Sequence, residues 1–133
     1  INMSNKIDKI LAEISAGELF DKITILEIKK ARISNKEKLN DINKELSSLN
    51  ETVKKFIPDQ SSISKHINDL KDINLKLWDI EDGKRAAEKN KKFDDKVIEL
   101  ARNVYKLNDE RAKIKLEINT SLGSNIKEVK SYE

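Results

Sequence analysis

The stretch that decides the fold, residues 38–58, reads KLNDINKELSSLNETVKKFIP. Its apolar residues recur at alternating steps of three and four, the spacing of a narrow apolar stripe along one side of a helix. These residues are Leu39, Ile42, Leu46, Leu49, Val53 and Phe56. Pro58 has no backbone N–H with which to continue the helix, so the chain must turn there.

A second stripe with the same spacing begins after the proline. Its members are Ile63, Ile67, Leu70, Asn74, Leu77 and Glu81. Two single-stripe helices joined at a turn favour a long antiparallel hairpin that resembles a coiled coil, with Leu49 near Leu70 and Ile42 near Leu77. A second copy of the chain could also cover such a stripe, with Asn74 fixing the register, so the sequence leaves a homo-oligomer open.

Capping patterns divide the rest of the chain. Two Ser-x-x-Glu sequences form capping boxes, in which a hydroxyl and a carboxylate satisfy the first free backbone N–H groups of a helix. The capping residues are Ser15 with Glu18, Ser34 with Glu37, and Asp94 or Asp95, while Gly123 ends the last helix. The predicted helices of a single domain, residues 1–133, are 16–33, 34–57, 60–90 and 94–120.

The two ends of the chain carry weaker patterns. Residues 7–14 fit a strand and a helix equally well, and their conformation stays open. The tail, residues 121–133, alternates too weakly to assign. Its apolar residues Ile126, Val129 and Tyr132 could dock it on the bundle.

The composition bounds the class of protein. The chain is 37% apolar and 38% charged with three glycines and one proline, which favours an all-α fold. Together with the stripes, it predicts a hairpin that packs at its base against further helices in a small helical bundle. Its 27 basic and 24 acidic residues are interleaved, which argues against nucleic acid as a partner. It has no cysteine and one histidine, so we expect no metal and no cofactor.

The expected compartment follows from what the chain lacks. No apolar run reaches the roughly 20 residues that a membrane-spanning helix needs. The N-terminus also lacks the apolar core of a signal peptide. We therefore expect a cytoplasmic protein that does not insert into a membrane.

Four charged residues lie on apolar helix stripes: Glu27, Glu81, Arg85 and Arg111. A buried charge without a partner costs several kcal/mol, so these residues must pair with one another, hold a ligand or line a wet cleft. One alternative is a structural network in which Glu81 pairs with Arg85 and Arg111 with Glu27. The nearby Asp21 is assigned to a solvated helix face.

The other alternative is a ligand site at the base of the hairpin. Cations there could hold a carboxylate or phosphate, hydroxyl and amide groups could contact it, and an indole ring would form a flat apolar wall. The candidate residues are Thr24, Glu27, Trp78, Glu81, Arg85, Tyr105, Asn108, Arg111 and Lys115. No phosphate-binding glycine loop, nucleophile motif or metal-ligand spacing accompanies them, so the sequence does not indicate an enzyme.

Four runs of sequence resemble one family. They are GELFDKITILEIK at 17–29, LWDIED at 77–82, ELARNVY at 99–105 with NDERA at 108–112, and EVKSY at 128–132. The family they resemble is a small uncharacterised one, a domain of unknown function found in bacteria and phages. The resemblance implies an accessory role beside glycosyltransferases and surface-polysaccharide genes, and it implies no activity. Gly83 departs from it, since a helix former is expected there.

A shorter run, LNDERAKI at 107–114, is similar to the arginine-bearing helix of all-helical chorismate mutases. That similarity implies a dicarboxylate site formed by Arg111, Lys115, Arg85 and Glu27. The opening helix of that family, with its own arginine, has no counterpart in this chain.

Three hypotheses of function follow. The first is a helical binding or adapter protein that engages a partner protein. The second is a protein or enzyme that binds an anionic small molecule, such as a metabolite or a sugar phosphate. The third is a nucleic-acid-binding arm, which the balanced charge argues against.

Overall fold

The computed structural model describes residues 6–124, which form four α-helices. They are α1 (Ala16–Arg32), α2 (Lys36–Phe56), α3 (Ser64–Asn90) and α4 (Asp95–Leu122). The described residues form no strand, and the helices pack against one another. The predicted all-α class, a small helical bundle, is therefore confirmed.

The described segment before α1 adds no regular structure. Residues 6–15 form neither helix nor strand, and most of their side chains are exposed. Residues 125–133, including the three side chains expected to dock the tail, lie outside the described residues.

Local sequence sets the helix limits. Ser15, Asn35 and Asp94 cap α1, α2 and α4, and each side chain accepts a hydrogen bond from the backbone N–H three residues later. The second cap is thus Asn35 and not the predicted Ser34. Gly123 ends α4 with φ +66°, a conformation that glycine adopts without the strain a Cβ would add.

Helix α1 lies at the centre of the bundle. Its Cα atoms come within 8 Å of those of α2, α3 and α4. This position agrees with its sequence, which is apolar on most sides of the helix. The core that forms around it comprises Leu19, Phe20, Ile23, Leu26, Ile42, Leu46, Val53, Ile63, Leu70 and Ile118.

The long antiparallel hairpin is present, but α3 and α4 form it. His66 Nδ1 lies 3.2 Å from Glu117 Oε2 near one end of the pair, and Gly83 faces Leu100 near the other. Among the described residues, no Cα of α2 comes within 8 Å of a Cα of α3. The predicted coiled-coil pairing of α2 with α3, turning at Pro58, is therefore wrong.

The reason is that a stripe does not specify which neighbour covers it. The stripe of α2 is buried at Ile42, Leu46 and Val53, as its spacing predicts. The helix that runs beside it is α1, whose apolar surface faces several directions. Periodicity predicts that a stripe is buried, but only tertiary packing determines which helix covers it.

Helices α3 and α4 extend beyond the rest of the bundle. They contain 27 and 28 residues, against 17 in α1. The last residue of α1, Arg32, pairs with Asp79, so the part of α3 from there to Asn90 adds about 16 Å at 1.5 Å per residue. We call residues 83–100, the outer part of this hairpin, the arm.

Candidate functional site

Asp21 is the centre of a buried polar network. It is 1% exposed, on the side of α1 that faces α3 and α4. Arg111 binds it through two hydrogen bonds, from Nε to Oδ1 (2.8 Å) and from Nη2 to Oδ2. Asn74 Nδ2 donates both to Asp21 Oδ1 (3.0 Å) and to Thr24 Oγ1 (2.9 Å). The assignment of Asp21 to a solvated face is wrong, because α1 is covered on this side as well.

These contacts decide the ionisation of Asp21. Burial raises the pKa of this carboxyl, but hydrogen bonds from Arg111 and Asn74, with the positive charges of Arg111 and Lys115, outweigh it. The pKa therefore lies below its ordinary value of 3.8. Asp21 is an anion at neutral pH, and its charge is matched by that of Arg111.

A second set of contacts fixes the start of α1 against α4. Lys115 Nζ lies 2.7 Å from Glu18 Oε2 and 3.9 Å from Asp21 Oδ2. The backbone N–H of Gly17 donates to the buried Asn119 Oδ1 at 2.7 Å. A Cβ at residue 17 would collide with the backbone carbonyl oxygen of Lys115, so only glycine permits this approach.

The structure divides the predicted site residues into three groups. Trp78, Glu81, Arg85 and Arg111 line one cleft. Thr24, Asn108, Lys115 and again Arg111 belong to the Asp21 network, in which Asn108 Oδ1 accepts from Arg111 Nη1 at 3.5 Å. The other two, Glu27 and Tyr105, lie outside both: Glu27 pairs with Lys71 at 3.4 Å, and Tyr105 is 59% exposed.

The predicted ion pairs are wrong in their partners. Arg111 binds Asp21 and not Glu27. Glu81 and Arg85 do not bridge each other, since Glu81 pairs with Lys84 at 3.4 Å. Arg85 lies 3.6 Å from Asp82 with three quarters of its side chain exposed. Of the four charges expected inside the bundle, only Arg111 reaches the buried network.

The cleft lies between α1, α3 and α4 and has a volume of about 360 Å³. Three cationic side chains line it, Lys29 of α1, Arg85 of α3 and Arg111 of α4, together with the carboxylate of Glu81. Its apolar lining consists of Ile25, Ile28, Leu77 and Trp78. A cleft with an aromatic wall and an excess of cations is suited to an anion that carries an apolar or ring-shaped part.

A larger groove, of about 690 Å³, lies at the opposite end of the bundle. Its lining is mainly apolar and comes from the segment before α1 and from the ends of α2 and α4. The charged residues in this lining are acidic, Glu13 and Asp59. It therefore lacks the cations that make the smaller cleft chemically distinctive.

Sequence reasoning missed Asp21 and Lys29 and misjudged Asn74. The pattern did mark Asn74 as a polar residue on an apolar stripe, but as one that could fix the register of a dimer. In the structure it holds Asp21 and Thr24 within one chain. The sequence pattern did not distinguish Asp21 or Lys29 from surface residues, because each lies beside another charged residue.

Between residues 6 and 124, no three Asp, Glu or His side chains are grouped so that they could bind a metal ion. No helix in that range combines the length and the apolar character needed to cross a membrane.

Residues 10–133 of the chain match the family described as "Family of unknown function (DUF6165)". Since this match covers nearly the whole sequence, the chain belongs to that family, and the resemblance to an uncharacterised family is confirmed. No curated protein and no solved structure matches the sequence significantly. The family description itself contains no activity, taxonomic range or gene context.

Proposed function

We propose that this member of the family is a helical binding protein whose arm docks on an acidic partner protein. One observation carries the proposal: α3 has no buried residue after Ile80, and α4 has none before Lys115. The sequence between them is nevertheless rich in apolar residues. They include Ala86, Ala87, Phe93, Val97, Ile98, Leu100, Ala101 and Val104.

The exposed apolar surface of the arm supports a docking role. Phe93 is 64% exposed and Ile98 is 56% exposed. Burying apolar surface is favourable by about 25 cal/mol per Å², so a partner that covers these side chains gains free energy. Within the arm, the pairing of α3 and α4 leaves these side chains half-buried or exposed, so a third surface laid against the pair would bury further apolar area.

The charge of the arm indicates what kind of partner fits. Residues 83–100 contain six basic and four acidic side chains, a net charge of +2. Three of the four residues before Phe93 are lysines: Lys89, Lys91 and Lys92. A complementary surface has an apolar pocket for the phenyl ring and carboxylates around it, since opposite potentials speed association and orient the partners.

Two other occupants fit this arm less well. In a twofold contact between the tips of two copies, the same lysines would face one another and repel. A nucleic acid would meet four carboxylates among the six cations, which weakens the attraction of a phosphate backbone. An acidic protein satisfies both the apolar and the charged features. The gene context implied by the family resemblance makes enzymes of surface-polysaccharide synthesis the first partners to test.

The test is a photo-crosslinking amino acid placed at Phe93 in the cells that produce the protein. The matched control carries the same crosslinker at Leu116, an exposed residue of α4 that lies outside the arm. We expect one protein to be crosslinked from position 93 and not from position 116, and to be identified by mass spectrometry. That partner is then purified, and its affinity for the chain is measured by calorimetry.

Variants of the arm decide whether the affinity depends on this surface. Lys91→Glu combined with Lys92→Glu, and separately Phe93→Ser, should each weaken binding about tenfold or more, because they remove attraction or apolar burial at the centre of the contact. Leu116→Ser should bind as the parent does. The proposal is overturned if position 93 crosslinks only a second copy or only nucleic acid, or if the arm variants retain the parent affinity.

A further inference from the structure

We infer that the cleft between α1, α3 and α4 binds a small anion built on a hydroxylated ring, such as a sugar that carries a phosphate or a carboxylate. This site shares only Arg85 with the arm, and either proposal stands without the other. Four features of the cleft carry the inference: a lysine that forms no ion pair with another described residue, an indole wall, a fixed arginine and a carboxylate.

Lys29 is the residue that points most directly to an anion. Its side chain is only partly exposed, and it lines the cleft. No carboxylate among the described residues lies within ion-pair distance of it. Because no described carboxylate pairs with this ammonium, a carboxylate or phosphate that enters the cleft can form a charged hydrogen bond with it.

Trp78 provides a flat wall for a ring. It is the only tryptophan of the chain, and its indole is partly exposed in the cleft. The indole N–H donates to no group of residues 6–124. An indole combines a large apolar face with a polar edge, so it can stack on a ring and hydrogen-bond one of its substituents.

Arg111 contributes a cation whose position is fixed. Its bonds to Asp21 hold the guanidinium in one orientation, while 29% of its side chain stays exposed. Because this group is already ordered, it loses little side-chain entropy when a ligand binds. Arg85 also lines the cleft but is much more exposed, and its surface pair with Asp82 contributes little stability.

Glu81 and the size of the cleft narrow the ligand class. The carboxylate of Glu81 lines the same cleft as the three cations and can accept a hydrogen bond from a hydroxyl group. The volume of about 360 Å³ is near the lower end of the range for small-molecule sites. A single ring with one anionic group suits this space.

The experiment uses the fluorescence of Trp78, which reports on the cleft alone because the chain has no second tryptophan. Four probes are titrated at low ionic strength: glucose 6-phosphate, glucuronate, glucose and inorganic phosphate. We expect a saturable change in emission with at least one of the first two. Comparing them tells a phosphate site from a carboxylate site. Glucose lacks the anion and inorganic phosphate lacks the ring, so each should bind about tenfold or more weakly.

A pair of adjacent lysines provides the control. Lys29→Gln should weaken binding of the preferred probe about tenfold or more, since the charged contact is lost. Lys30→Gln, which changes an exposed neighbour outside the cleft, should bind as the parent does. Circular dichroism and melting temperature should be the same for both variants, because neither lysine makes an ion pair with a described residue.

Three results would overturn the inference. The first is a flat titration with both ring anions, repeated by calorimetry to detect binding that leaves the emission unchanged. The second is equal weakening by Lys29→Gln and Lys30→Gln, which would mean only a general attraction to the positive surface. The third is equal affinity for inorganic phosphate and the ring anions, which would mean that contact between the ring and Trp78 contributes nothing to binding. None of these results bears on docking by the arm.

Discussion

Replacing Arg111 by methionine should destabilise the protein strongly. The change removes two of the hydrogen bonds to Asp21, from Nε and from Nη2, and leaves the one from Asn74. Asp21 stays in the interior with 1% of its surface exposed and without its closest counter-charge. Breaking a buried ion pair on one side in this way costs about 3–5 kcal/mol.

That loss is a large share of what holds the domain together. Single domains unfold with a free energy of about 5–15 kcal/mol, so the variant should lose about a fifth of it or more. In urea the midpoint should fall by about 2 M, if the slope is about 2 kcal/mol per M. Unfolding is followed by circular dichroism at neutral pH, with Trp78 emission as a second probe of the same transition.

A double variant isolates the pair. Asp21→Leu together with Arg111→Met removes both charges, and we expect it to recover most of the stability that Arg111→Met alone loses, because an apolar pair of similar volume can replace an ion pair. The reasoning is refuted if Arg111→Met costs less than about 1 kcal/mol, the value of a surface pair. It is also refuted if the double variant is no more stable than the single one.

The remaining predictions concern pH and the helix contacts. The pKa of Asp21 is lowered on folding, so ionised Asp21 stabilises the folded protein at any pH above the unfolded pKa of 3.8. This stabilisation is lost as the pH falls through the folded pKa. In Asp21→Asn the melting temperature should therefore fall less steeply below about pH 4 than in the parent. Gly17→Ala should lower the free energy of unfolding in urea by about 1–3 kcal/mol, because its Cβ meets a backbone carbonyl of α4. Gly83→Ala should raise it by up to about 1 kcal/mol, because its Cβ meets only the movable Leu100 Cδ1 at 3.2 Å. Equal effects of the two substitutions would contradict this contrast. Lys91 has φ +52° at the end of α3, so Lys91→Gly should stabilise by about 1 kcal/mol in the same assay, and a loss of stability would show that the turn is not strained.

Much of the fold was predictable because it depends on local sequence. Ser15, Asp94 and Gly123 set helix limits through bonds to backbone groups within a few residues, and such bonds can be inferred from spacing alone. The apolar stripes likewise identified buried faces such as that of Ile42 and Leu46. The pairing of the helices was not predictable in this way, because the same stripe on α2 could pack against α1 or α3.

The polar network illustrates the same limit for single residues. The stripe of α4 predicted that Arg111 points inward, and it does. The structural-network alternative pairs it with Glu27, whereas in the structure Arg111 binds Asp21. These two acids are six positions apart in the sequence, which at about 100° per residue places them about 120° apart around α1. Only the position of α4 relative to α1 decides which of them meets the arginine.

The network and the cleft share Arg111, and this determines which variant can test a ligand site. Asp21 already neutralises Arg111, so the presence of this arginine in the interior is explained without any ligand. Loss of ligand binding in Arg111→Met would accompany a loss of stability and would not separate the two roles. Lys29 lines the same cleft but takes no part in the network. A binding defect in Lys29→Gln with unchanged melting can therefore come only from the cleft.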